Sequence, residues 1–320
     1  MNKPALSLIV LLLIMVAFFG LNDSEIQLYK FDKVTDNVYV IHGPLDEPNP
    51  ENRGFMNNPG LIVGASGAVI VDPGSTVEVG NNMLAAAEKI TDKSIVAVFN
   101  THVHGDHWLG NQAIVARYPN VKIYAHPNMI AQAKGGEGER WIKLMHDLTE
   151  GASDGTVATY PTNSTTNLQV VTVGDLTFKI HHNVTPAAHT NTDIMVEHVQ
   201  SKTLFLGDNG LVHRHGRFDN TSDMHGNIEV LEYAIDLNLE HYVPGHGPSG
   251  GMETAVKLFL NYLKTVKNEV AKGYEEDLAD YEIKPTAHKK LTDYHDWHGY
   301  DSNFGRHINK MLLEVEAKDL

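Results

Sequence analysis

With 320 residues, 42% of them hydrophobic and 20% charged, the chain has material for a large core and the composition of a globular protein rather than a disordered one. Its formal charge of −15 argues against a nucleic-acid partner, because phosphate-backbone binding needs a basic face that releases counterions. Cysteine is absent, which removes disulfides, thiolate metal sites, Cys nucleophiles and a lipid-modified Cys. Any transition metal must then be held by histidine and carboxylate, a donor set that suits zinc, iron or manganese.

In the first 24 residues, Lys3 precedes an apolar run from Leu8 to Phe19, and polar Asn22-Asp23-Ser24 comes next, the layout of a secretory signal. The run is short for a spanning helix, while a small-x-small cleavage site is poorly formed around Phe18-Phe19-Gly20. The expectation is export to the periplasm or beyond, with a retained membrane anchor as the alternative.

The run Val34–Ile41 reads as a strand, and a polar, Pro-rich stretch from Gly43 to Pro59 interrupts the strand pattern after it. Leu61–Val63 and Ala68–Val71 form a hairpin about Ala65-Ser66-Gly67 that closes in Asp72-Pro73-Gly74. A helical pattern over Glu78–Ile90 leads to a strand at Ser94–Phe99; a helix at Trp108–Arg117 and a strand at Val121–Ala125 come next. From Met129 to Asn167 the signal weakens, with one short helix around Arg140–Leu148 and no role to assign. The second half returns to strands at Leu168–Val173, Leu176–His181, Asp193–His198 and Thr203–Leu206. Beyond them lie a helix at Asn227–Leu237, a strand at His241–Val243 and an amphipathic helix at Glu253–Lys272. The charged tail from Tyr274 carries an aromatic and histidine cluster at Tyr294–Tyr300 and reads as an extension packed on the main domain. Hairpins succeeded by βα units favour a layered α/β fold. The division expected is a leader at 1–24, a main domain at 25–265 and a C-terminal extension at 266–320.

Directly after the strand at Ser94–Phe99 stands NTHVHGDHWLGN, in which His102, His104, Asp106 and His107 form an H-x-H-x-D-H cluster. Alternate residues of an extended chain point to one side, so His102 and His104 can grip one cation while Asp106 and His107, as the chain turns, face a neighbouring position. Two adjacent metals need further ligands. His189 in TPAAHT, Asp208 in LFLGDN and His246 in VPGHGP each come after a predicted strand, in turns of the kind that place a ligand at a sheet edge.

Asp72 in VDPG, the THVHGDH cluster, His189, Asp208 and His246, in that order, resemble the five motifs of the metallo-β-lactamase superfamily over roughly Val34 to Gly250. The resemblance implies a four-layer αββα sandwich with the site at one edge of two facing sheets. It implies a first metal on His102, His104 and His189, a second on Asp106, His107 and His246, and Asp208 bridging both. One large branch of class-B β-lactamases carries Cys where Asp208 stands and a non-His residue where His107 stands. This chain is more similar to the glyoxalase II and lactonase branches, and it keeps His104 where flavodiiron-type members have Glu.

The activity implied by the resemblance is that of a hydrolase with two zinc ions, iron or manganese being possible, that cleaves an ester-like, lactone, thioester or amide bond of a small-molecule substrate. Asp106 and Asp208 are the candidates to orient or accept the proton of the attacking water, and Asp72 is the candidate to fix an imidazole tautomer. The alternatives are a class-B-type β-lactamase, a mononuclear iron enzyme similar to persulfide dioxygenases, and a non-catalytic metal-binding protein. For substrate contacts, Phe55 and Met56 either close over an apolar group or pin their loop. His213, Arg214, His215 and Arg217 form a local cationic patch able to hold a carboxylate or sulfate. His126, His181 and His182 match no ligand position and read as structural.

Overall fold

The strand-forming runs pair into two sheets in a computed structural model that describes residues 29–182 and 185–319, so the apolar leader expected at 1–24 lies outside the described residues. The first sheet takes β1 (Asp32–Lys33), β2 (Val38–Val40), β3 (Gly60–Val63), β4 (Ala68–Val71), β5 (Ile95–Phe99), β6 (Lys122–Ala125) and β7 (Asn163–Ser164) in chain order. It is antiparallel from β1 to β4 and parallel from β4 to β7. The second sheet contains β8 (Val170–Val173), β9 (Leu176–His182), β10 (Ile194–His198), β11 (Thr203–Leu211) and β12 (His241–His246), ordered β12-β11-β10-β9-β8. Only its β11–β12 pair is parallel.

The helices are α1 (Val77–Ala87), α2 (Gly105–Trp108), α3 (Asn111–Arg117), α4 (Pro127–Gln132), α5 (Gly138–Leu148), α6 (Met224–Asp236), α7 (Met252–Ala255), α8 (Lys257–Glu275), α9 (Asp280–Lys290) and α10 (Tyr300–Asp319). Among the described residues no helix is long and apolar enough to cross a membrane.

Side-chain alternation sorts these elements into four layers. Val69, Val71, Ala97 and Phe99 of the first sheet meet Phe178, Ile180, Val196 and Phe205 of the second in the central core. Their neighbours Ile70, Val98 and Ile123 face the other way, onto Val79, Met83 and Ile114 of α1 and α3. On the far side Leu204, Leu206 and Tyr242 pack against α6, α8, α9 and α10. Both faces of both sheets are covered, which is why β4 and β5 read as nearly unbroken apolar runs. The αββα sandwich with C-terminal helices is therefore the architecture.

Two departures from the sequence reading bear on the site. The helix expected at Trp108–Arg117 is two helices, α2 and α3, broken where Gly110 donates its N–H to the Gly74 carbonyl at 2.8 Å. There the backbones approach too closely for any Cβ at Gly110, and the break turns α2 so that it carries Asp106 and His107. Strand β11 runs to Leu211 rather than stopping at Leu206, so Asp208 lies within it. Gly207 and Asp208 are poor strand formers, yet pairing with β12 continues past them through register shifts, with Gly207 at φ 55° and Thr101 at 2.8 Å from where its Cβ would be. The C-terminal helices share one core with α6 and the second sheet, and α8 runs unbroken through residue 265.

Candidate metal centre

Asp72 directly follows strand β4, held at φ 53° in the left-handed region that Asp tolerates better than most residues. That turn aims its buried carboxylate at the start of the histidine cluster. Oδ1 accepts from the Thr101 N–H at 2.8 Å, and Oδ2 accepts from the Thr101 hydroxyl at 2.6 Å and from His107 Nδ1 at 2.7 Å. Because the Thr101 hydroxyl donates to Asp72, it accepts from His102 Nδ1 at 3.0 Å. On β12, His246 Nδ1 donates to the Met56 carbonyl at 2.8 Å. The Nδ1 proton of each of these three rings is thereby claimed, which leaves the Nε2 lone pairs facing one another. His189 comes from the loop before β10, where its carbonyl accepts from Ser222 Oγ at 2.6 Å.

Two donor groups result, each with its atoms within 4.8 Å of one another: His102, His104, His189 and Asp208 in one, and Asp106, His107 and His246 in the other. Asp208 reaches both. Its Oδ2 lies 3.5 Å from His189 Nε2 and 3.9 Å from His102 Nε2, while Oδ1 lies 3.1 Å from His107 Nε2 and 3.4 Å from His246 Nε2. A Cβ at position 245 would collide with Oδ1, so Gly245 keeps the room that this carboxylate occupies.

The donor chemistry fits cations at both groups. His102 Nε2, His107 Nε2 and Asp208 Oδ1 are buried and have no hydrogen-bond partner, an expensive condition for polar atoms unless something else binds them. Burial pushes His102 well below the usual histidine range and His189 down to about 4, so their rings are neutral and able to donate lone pairs. Burial works against charge on Asp106 and Asp208, but His107 and His246 hold both carboxyls well below their ordinary range. Conversely, burial opposes a proton on His107 and His246, yet Asp208 and Asp106 raise both. Two ionised carboxylates in a buried pocket demand positive charge at this spot, as protons or as metal.

A cavity of about 210 Å³ opens over the centre, with His104, Asp106, His189, Asp208 and His246 among its lining residues. One wall is α5, which presents Trp141, Leu144 and Leu148, with the Trp141 ring 5.1 Å from that of His104. This helix lies in the stretch to which the sequence assigned no role. Its i, i+3, i+7 apolar stripe was the available signal. Asp219, whose Oδ2 is 3.9 Å from His104 Nε2, was likewise missed.

The four-residue cationic patch expected after Asp208 does not hold together. Arg214 and Arg217 line the cavity, but His213 is exposed and meets the Trp297 ring edge-on, and His215 is buried among Tyr262, Trp297 and Tyr300. Burial pushes His215 down to about 3, so it carries no charge. Of the two loop residues, Phe55 is fully buried and stacks on Tyr29 at 4.5 Å, pinning the loop, whereas Met56 lines the cavity. His126 caps α4, His181 bonds Tyr233 and Glu197, and His182 bonds Thr165, all structural roles.

Residues 52–246 match the metallo-beta-lactamase superfamily. Over 74 residues the chain is 36% identical to a linear primary-alkylsulfatase of a Pseudomonas species, covering 22% of this chain and 14% of that protein. Over 57 residues it is 40% identical to a hydroxyacylglutathione hydrolase of Microcystis aeruginosa, covering 18% of this chain and 20% of the relative. The chain thus spans only a small part of these relatives' length. Among solved structures, a stereoselective inverting sec-alkylsulfatase of a Pseudomonas species superposes with a TM-score of 0.66 at 16% identity, over 91% of this chain and 51% of that one. At that identity the likeness is one of fold.

Proposed function

The chain belongs to the metallo-beta-lactamase superfamily of hydrolases, and we propose that it is a binuclear zinc enzyme that cleaves an ester-like, lactone, thioester or amide bond in a small molecule. The observation that carries this reading is Asp208, whose two oxygens face one donor group each. A zinc pair, when bound, supplies an acidified water and a Lewis acid for the scissile group.

The chain's own residues supply the rest. His102, His104 and His189 would hold one ion and Asp106, His107 and His246 the other, with Asp208 shared. The Asp72–Thr101 pair fixes the rings of His102 and His107 in one tautomer, and the Met56 carbonyl does so for His246. Asp106 and Asp208, both ionised, are the groups placed to orient water and accept its proton. The apolar α5 wall keeps bulk water from one side of the cleft. We extend the reading to location: the leader marks an exported protein.

The test is metal analysis of the zinc-loaded protein, then turnover of a chromogenic cephalosporin, a nitrophenyl ester, a lactone, a thioester and a sulfate ester, with His102→Ala and Asp208→Ala as controls. Two equivalents of zinc and a kcat/KM of about 10⁴ M⁻¹s⁻¹ or more on one class, lost in both variants, support the proposal. A single equivalent of iron, with activity indifferent to the second donor group, overturns it.

A further inference from the structure

The cavity over the donor groups is chemically two-sided. Along α5, Trp141, Leu144 and Leu148 form an apolar rail, and Leu148 remains 39% exposed at the cavity wall although it is a large aliphatic side chain. Pro48 and Met56 add apolar surface from the loop after β2. Three arginines also line the cavity, and they differ in one respect. Arg140 is paired with Glu137, and Arg214 is held by the Leu45 carbonyl and by Glu47 at 3.1 Å. Arg217, by contrast, makes no hydrogen bond or ion pair among the described residues, and it is exposed. Asp219 is the carboxylate on the same segment, but its Oδ1 is occupied by Thr221 and Ser222, and Oδ2 faces His104.

We propose that the substrate is an amphiphilic anion, whose linear apolar chain lies along Trp141, Leu144 and Leu148 and whose charged end is met by Arg217. An uncommitted guanidinium in a protein of net charge −15 recognises an oxyanion without first breaking a bond of its own. The rail gives binding energy that grows with chain length, which a short polar substrate leaves unused. This inference rests on the reading of the cavity as the active site, and it adds the class of molecule that enters.

The test uses n-alkyl sulfonates, which mimic an anionic ester but have no bond to hydrolyse, titrated calorimetrically into the intact zinc-loaded protein below their micellar concentrations. From butane- to octane- to dodecanesulfonate the affinity is expected to rise, by at most about fourfold per methylene, the limit set by complete burial. Leu144→Ser with Leu148→Ser should flatten that dependence, while Arg217→Gln should weaken all lengths alike, by about tenfold. Octanoate beside octanesulfonate tells a carboxylate end from a sulfate-like one, and octanol supplies the neutral control. Affinity that is flat with length, equal for octanol, or unchanged in Arg217→Gln overturns the inference. Because binding is read without turnover, an active two-zinc enzyme with flat binding fails this inference alone, whereas chain-length-dependent binding to a protein lacking activity fails only the hydrolase reading.

Discussion

Glu314, in the last helix, accepts from His225 twice, from its backbone N–H at 3.2 Å and from its ring Nδ1 at 2.9 Å, and so caps the start of α6 from outside. The Met224 N–H, at 2.9 Å, is held by the same carboxylate. These are among the unpaired amides that every helix start presents, and an anion there also meets the favourable end of the helix dipole. Just upstream, Ser222 Oγ donates to the His189 carbonyl, and Asp223 N–H donates to the Ala188 carbonyl at 2.8 Å. Through that short path α10 steadies the loop that carries His189 from the far end of the chain.

Glu314→Ala should therefore cost about 1–3 kcal/mol of stability, from buried donors left unpaired. It should also weaken zinc at the group containing His189 more than at the group containing His246. Urea unfolding and chelator competition on the same sample read the two effects. Equal weakening of both zinc sites would mean that α10 supports the fold without favouring His189.

Asp72→Asn keeps an oxygen for the Thr101 N–H and a residue type that accepts φ 53°. Its amide would, however, present N–H where His107 Nδ1 now finds an acceptor. The ring then has reason to turn or to shift its proton to Nε2, the atom that faces the metal site. Zinc affinity is expected to fall about 10–100-fold with little change in folding. Titration against a chromogenic chelator measures it, and wild-type affinity in the Asn variant would exclude the tautomer argument.

Removal of zinc would leave Asp106 and Asp208 buried with only protons on their histidines to offset them. The thermal midpoint should drop on dialysis against a chelator and return with zinc, since a ligand present at about 1,000 times its Kd stabilises the native state by about 4 kcal/mol. Differential scanning calorimetry with and without zinc decides this, and identical midpoints would mean that the native fold gains nothing from metal.

Stability should also fall on the acid side for a reason outside the candidate metal centre. Burial pushes His307 from 6.5 to about 4; its Nε2–H donates to the Gly216 carbonyl at 2.9 Å, and its Nδ1 accepts from the Tyr262 hydroxyl at 2.7 Å. Its folded pKa is depressed, so the unfolded chain takes up a proton below 6.5 that the native ring refuses. The contribution is whole above 6.5 and is lost as pH falls towards about 4, at about 1.4 kcal/mol per unit. His215, buried beside it, adds a slope of the same sign. Urea midpoints across this window should decline, and His307→Gln should shallow the decline while lowering stability near neutrality. A slope unchanged by that substitution would place the acid sensitivity elsewhere.

Much of the fold and of the donor set was legible in the chain, because the signals are local. Alternating and continuous apolar runs such as Ala68–Val71 mark strands buried on both faces, and the H-x-H-x-D-H spacing sits in one loop. Asp72, His189, Asp208 and His246 each close a strand or come after one in the sequence reading, so their types and contexts could be read without knowing what lay opposite.

The surroundings of those donors belong to tertiary structure alone. Arg214 and His215 are neighbours in sequence, yet the bridge between Arg214 and His298 turns one into the cavity and the other into an aromatic core built by the C-terminal helices. Nothing local distinguishes them. The wall of Trp141, Leu144 and Leu148 faces the histidines because Trp108, Met129 and Met145 bury the other side of that lobe. Sequence by itself determined which side chains can hold metal, through residue type and spacing. Only long-range packing decided what else shares their cavity, since burial and charge at each position depend on residues brought from distant parts of the chain.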